Sequence, residues 1–224
     1  MMRIDFRATS GLITLGLLFL ILSGCVSLPG NEEVLPASAL KGDNLTKTQI
    51  QLVEGAQKVL GARRLDIGGR VYPLDCTGTI MAIYAYAGID LQSPLTQFSG
   101  NGVTRLYRYL ESLDLIYSSE LPLPGDLVFW DNTYDRNNDG KWNDTLTHVG
   151  MVVAVDNDGT VHYVHHNYRK GIVLARMNLL QPDTLTEGNK QLNSAMRMRD
   201  GKVYPRWLSS HLYRELGKGW ELKS

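Results

Sequence analysis

Two cysteines and five histidines in 224 residues are the groups whose chemistry and spacing say most about this chain. Cys76 stands in Leu74-Asp75-Cys76-Thr77-Gly78, where a Gly- and Arg-rich stretch gives way to an apolar helical pattern at Ile80, Ile83, Tyr84 and Ala87. A thiol attacks as its thiolate. A helix N-terminus presents free N–H groups and partial positive charge, which favour that anion and a developing oxyanion. The position predicts a nucleophile with a lowered pKa, with Asp75 and Gly78 beside the substrate and its oxyanion. The other fate of a free cysteine is to be buried and inert.

A nucleophilic thiol needs a base, and the base needs a group to orient it. His148 opens the apolar run His148 to Val155, the turn Asp156-Asn-Asp-Gly159 follows, and the return strand Thr160 to Asn167 carries three more histidines. An even-numbered loop pairs Val155 with Thr160, Gly150 with His165 and His148 with Asn167. His148, His165 and Asn167 then share one face, expected to be covered by helices because Val161 and Tyr163 lie on it too. His162 and His166 fall on the other face, where solvent is expected. His165 is the expected acceptor for the ring N–H of His148, with Asn167 as the alternative. His211 reads as a surface or packing residue. A zinc site is disfavoured because period-two geometry splits the histidines, and zinc wants three or four converging ligands.

The elements that must position these groups read as helices first and strands afterwards. Thr46 to Gln49 forms a capping box before helical spacing at Ile50, Val53, Ala56 and Leu60. Residues 62–74 read as loop. A helix over 79–87 follows Cys76, and another over 102–113 points Val103, Leu106, Leu110 and Leu113 inward. Strands are expected over 126–130, 147–155, 161–167 and 171–177, and one more helix over 207–216. This order predicts an α+β domain with a mostly antiparallel sheet.

The N-terminus reads as a targeting segment. Arg3 and Arg7 precede an apolar run over 11–22, shorter than the roughly 20 residues of a membrane helix, and Ser23-Gly24-Cys25 follows. Leu22-Ser-Gly-Cys25 resembles the bacterial lipobox, which implies a signal peptide over 1–24 and a lipid on Cys25. Val26, rather than Asp, after the cysteine implies the outer membrane, facing the periplasm. Residues 25–45 read as a flexible tether, leaving one domain over 46–224. Lysine plus arginine equals aspartate plus glutamate, so no basic footprint points to nucleic acid. With Cys25 lipidated, Cys76 has no partner for an intrachain disulfide.

Four segments in order carry a family resemblance. Leu74-Asp-Cys-Thr-Gly78 resembles the nucleophile motif of NlpC-type peptidases and of the related CHAP amidases. Leu123-Pro-Gly-Asp-Leu-Val-Phe-Trp130 and Thr147-His-Val-Gly-Met-Val152 look like their Pro-Gly-Asp-Leu strand and catalytic histidine strand. Tyr163-Val-His165 matches the place of the third polar residue in NlpC-type enzymes, and Asn167 fits the CHAP pattern. The likeness covers about residues 46–180. It implies a papain-like α+β fold, a thiolate–imidazolium pair at Cys76 and His148, and cleavage of peptidoglycan amide bonds through an acyl-enzyme. Arg64 stands where NlpC-type enzymes often carry an aromatic residue. A non-catalytic envelope binding protein and an acyl- or peptidyl-transferase are the competing functions.

Between Trp130 and His148, Asp135, Asn137, Asp139 and Gly140 match the first half of an EF-hand-like loop. Leu146 takes the place of its closing Glu, and Asp144 is the substitute. Calcium in this loop and a plain Asx-rich turn are both open. No cofactor is required for the thiol chemistry itself.

Overall fold

Thr46 caps α1 (Lys47–Val59) as its spacing predicts: its side chain accepts from Gln49 N–H while Gln49 accepts the Thr46 N–H. The computed structural model describes residues 34–36, 39, 44–197 and 206–223. The signal segment and Cys25 lie outside the described residues. Within the expected tether, Leu35 N–H donates to Gln57 and Ala39 is buried against Val53 and Ala154, so that part of it rests on the domain.

After α1 come β1 (Leu65–Ile67) and β2 (Arg70–Tyr72), a small hairpin in the stretch expected to be loop. Its turn is Gly68-Gly69, both at positive φ, a pair that suits a two-residue hairpin turn. Next are α2 (Cys76–Tyr86), α3 (Gln92–Leu95) and α4 (Gly102–Glu111). Leu113, expected to point inward, is 46% exposed, because α4 stops and Asp114 takes a positive φ. The strands are β3 (Ile116–Tyr117), β4 (Leu127–Trp130), β5 (His148–Val155), β6 (Thr160–Asn167) and β7 (Gly171–Asn178). A two-stranded flap, β8 (Thr186–Glu187) and β9 (Lys190–Gln191), follows.

The tail departs from its expected helix. Only α5 (Ser209–Leu212) is helical; β10 (Tyr213–Gly217) then enters the main sheet between β3 and β4, and a short 3-10 turn (Gly219–Glu221) ends it. The sheet order is β3-β10-β4-β5-β6-β7, every neighbouring pair antiparallel, which makes this an α+β domain. β4 finds partners for both its edges only because the last residues of the described chain return to it.

Helices cover one face of this sheet. Leu52, Ile80, Ile83, Leu106 and Leu110 pack there against Leu127, Phe129, Val149, Met151 and Val164. Burying a side chain of this size stabilises by about 1.5–3 kcal/mol. Val128, Trp130, Val152, Val161, Tyr163 and Met177 lie on the opposite face, beneath Leu212, Trp142 and Met196. The face with Val161 and Tyr163 is therefore covered by the tail, with its short α5, and by the 131–147 loop, while α1, α2 and α4 lie over the other face and not over this one as expected. The near-continuous apolar run of β5 suits a strand buried on both faces.

Candidate active site

Asp75 starts α2 and thereby presents Cys76. Its backbone is extended, its carboxylate accepts from Gly78 N–H at 2.7 Å, and its carbonyl accepts from Thr79. Both expectations for these neighbours change. The Asp75 carboxylate is an N-cap, and the Gly78 N–H is held by it and is not open to an oxyanion. Gly78 is needed for packing: a Cβ there would collide with the Pro73 carbonyl.

Cys76 is half-buried as a residue; its sulfur lies 4.0 Å from Thr77 Oγ1 and is within the influence of the backbone N–H of Val149. That N–H belongs to the peptide joining His148 to Val149, so the helix tip and the start of β5 meet at the sulfur. The expected fall in thiol pKa is reversed. Burial pushes Cys76 above its ordinary value and the Asp75 carboxylate adds to the rise, against smaller opposing hydrogen bonds from Thr77 and Val149.

His148 and His165 are joined ring to ring, with His148 Nε2 2.8 Å from His165 Nδ1 and their planes at 85°. Burial, with a smaller contribution from His166, holds His148 down to about 4, and burial holds His165 well below its usual range. Both rings are thus neutral at pH 7. With the proton of His148 on Nε2, donated to His165, its Nδ1 is free to act as a base. The resting pair this favours is thiol and neutral imidazole, not the thiolate–imidazolium pair implied by the resemblance.

The register that brings the histidines together holds at the site end and slips at the turn. Met151 pairs with Val164 and Val152 with Tyr163, which continues outward to set Gly150 beside His165. Val155 pairs with Val161 rather than Thr160, because a bulge between Val152 and Ala154 absorbs one residue. Gly150 leaves room: a Cβ there would sit 3.2 Å from both the His165 Cβ and the Trp130 ring. Trp130 also packs at a tilt against His148 and Tyr163, with ring centroids 5.8 and 4.8 Å away, and its indole N–H donates to the Ser209 carbonyl in the tail. Sequence reading missed Trp130 as a support for the base, although its place at the end of β4, paired with His148, carries the signal.

Asn167, the alternative orienter, is committed elsewhere: its side-chain oxygen accepts from Arg169 and Lys170 N–H in the β6–β7 turn. His162, expected in solvent, is 4% exposed, with Nε2 3.1 Å from Asp156, because helices cover its face. His211 packs within the tail, where Nδ1 accepts from Trp207 and Leu208 N–H and Nε2 meets Asp183 at 2.8 Å.

The 131–147 loop is knitted to the base strand. Leu146 N–H donates to Asp131, Thr147 N–H to the Trp130 carbonyl, and Thr133 to Thr147. Leu146 holds a left-handed φ of 51° two residues before His148, a strained position for a branched side chain. Asp135 accepts from Asp139 and Gly140 N–H, Asn137 from Asp139 N–H, and Asp139 from Lys141 N–H. Asp144 is buried and accepts from Arg136 N–H. These oxygens make the turn's own bonds, and among the described residues no group of three or more His, Cys, Asp or Glu side chains is arranged to hold a metal ion. No helix among the described residues is long and apolar enough to cross a membrane. Compared with known proteins, the chain matches no family model and none of the curated sequences.

Proposed function

We propose that this chain is a cysteine amidase or peptidase on a papain-like scaffold that cuts an amide bond of peptidoglycan, anchored by a lipid on Cys25 to the outer membrane. The observation that carries the reading is the His148–His165 pair on the adjoining inner strands β5 and β6, with the Cys76 sulfur near the His148–Val149 peptide. Cys76 is the nucleophile, His148 the base and His165 the residue that holds its tautomer. Attack and proton transfer occur together: the sulfur bonds to the substrate carbonyl carbon as its proton passes to His148 Nδ1. The backbone N–H of Cys76, in the first turn of α2, is the donor we assign to the oxyanion. Collapse expels the amine, which takes the proton from His148, and water then cleaves the thioester. The four-segment resemblance to NlpC-type and CHAP enzymes supplies the substrate class, with the D-glutamyl–diamino acid and muramoyl–L-alanine bonds as the two candidates.

Digestion of purified sacculi tests this directly. The wild type should release soluble fragments, and Cys76→Ala and His148→Ala should each lower release at least ~1,000-fold with little change in Tm. A wild type that releases nothing, or variants that match it, would overturn the reading. The raised thiol pKa favours a second reading, a non-catalytic binding protein. Alkylation of Cys76 no faster than a free cysteine at neutral pH, combined with inert sacculi, would establish that one.

A further inference from the structure

Asp131, the residue after Trp130, sits where several segments of the chain meet. Its backbone N–H donates to the carbonyl of Leu212, the last residue of α5. One carboxylate oxygen accepts the Leu146 N–H at 2.6 Å, and the other accepts from the Arg214 guanidinium at 3.0 Å. Leu146 stands two residues before His148, and its φ of 51° turns the incoming loop onto β5. A left-handed leucine persists only where its surroundings impose it, and the Asp131 carboxylate is the group that takes its N–H. Trp130, on the other side of Asp131, pairs with His148 in the β4–β5 ladder and packs on its ring. Asp131 therefore touches both the backbone that delivers His148 and the residue that backs it.

Arg214 is aimed at this carboxylate by an irregularity in β10. Tyr213 pairs with Trp130 and Glu215 with Phe129, so Arg214 is the extra residue of a bulge. A bulge re-aims a side chain. The Arg214 guanidinium reaches Asp131 with Nη1, lies 3.3 Å from Glu215 through Nε, and sits over the Tyr107 ring at 5.2 Å. Glu215 accepts from the Tyr107 hydroxyl at 2.6 Å. Tyr107 belongs to α4 and meets Phe129 edge-on in the helix-side core. A line of contacts thus runs from α4 through Glu215 and Arg214 to Asp131, and from there to Leu146. Because both oxygens of Asp131 are engaged, any rotation of the carboxylate breaks one of its bonds.

We propose that Asp131, locked by Arg214, is a positioning residue for His148: its carboxylate holds Leu146 in the left-handed turn that sets His148 against His165. Its importance for catalysis rests on the reading of Cys76 and His148 as nucleophile and base.

The test uses the full chain labelled with ¹⁵N-histidine. In the wild type, the ring proton shared by His148 and His165 should give a downfield N–H resonance that exchanges slowly with water and is lost in His165→Gln. Asp131→Ala should speed that exchange at least ~10-fold while the amides of the β6–β7 ladder keep their wild-type rates. Asp131→Asn retains an oxygen for Leu146 but gives up the ion pair, so it should fall between the two, as should Arg214→Gln. Adding Arg214→Gln to Asp131→Ala should change nothing more, because Arg214 acts through Asp131. On soluble muropeptides Asp131→Ala should lower kcat about 10- to 100-fold and leave KM within about twofold. A wild type without the resonance, or ring exchange that is unchanged in Asp131→Ala, would overturn the proposal. So would additive losses from Asp131 and Arg214, or ring and ladder exchange that rise together, the mark of a merely structural role. If Asp131→Ala does not fold, wild-type ring exchange in both Asp131→Asn and Arg214→Gln overturns it instead. Faster ring exchange in variants of a chain whose wild type cleaves nothing would uphold the positioning and sink the catalytic reading, so the two fail separately.

Discussion

The two faces of the central sheet are held by different chemistry. On the helix side the contacts are aliphatic: Leu52, Ile80, Ile83, Leu106 and Leu110 close over the strands, and stability there follows apolar area. On the tail side, buried polar groups tie loops to strands. Asn193 donates to the carbonyls of Gln181 and Thr184 and accepts from Asn178 N–H, and the Ser209 and Ser210 hydroxyls donate to the carbonyls of Arg176 and Pro182. Such bonds each add little net stability but are costly to leave half made, so they fix orientation more than they add binding energy. The candidate site takes one reactive group from each side. Cys76 rides on a helix of the first face, while His148 and His165 sit in the aromatic layer of the second, under a tail anchored to Trp130.

This contrast can be broken from either side. The largest effect on folding is expected at the helix face: Leu52→Ala, fully buried in α1, should cost about 2–5 kcal/mol in urea unfolding. It should leave kcat near the wild-type value wherever the protein remains folded. Asn193→Ala, on the tail face, should cost less, about 1–3 kcal/mol, because it strands the Asn178 N–H and two carbonyls. Its kcat should nevertheless fall several-fold, as the support behind Trp130 and His148 loosens. Equal kcat for the two variants would erase the distinction between the faces.

The smallest effect is a shift in pH dependence. His148 is held at about 4, so the base stays unprotonated well below the ordinary histidine range. The acid limb of kcat/KM should fall near pH 4 rather than near 6.5, and a limb near 6.5 would contradict the burial of the pair. The sign for stability is the same. Because the folded-state pKa is depressed, the native state binds fewer protons than the unfolded chain between those values. This contribution is complete above pH 6.5 and disappears as pH falls toward 4.

Much of the architecture was readable because it follows local rules. The Thr46–Gln49 capping box, the helical start at Cys76 and the strands through His148 and His165 are set by spacing and by turn residues. The two-residue period alone put His148 and His165 on one face, and it did so despite a bulge further along β5, which lies on the turn side of both residues. Parity could not say what covers each face, since both sides of β5 and β6 are apolar. This is why His162 was expected in water.

What the sequence by itself determined is therefore which side chains are candidates for chemistry and that His148 and His165 share one face of the sheet, because these follow from local spacing and strand parity. The tertiary structure decided the rest. It returned residues 213–217 to lie beside β4, engaged the Gly78 N–H with Asp75, turned Asn167 toward its own β-turn and buried the thiol enough to raise its pKa. Each of these outcomes depends on groups meeting in space or on exclusion of water, and local spacing carries no record of either.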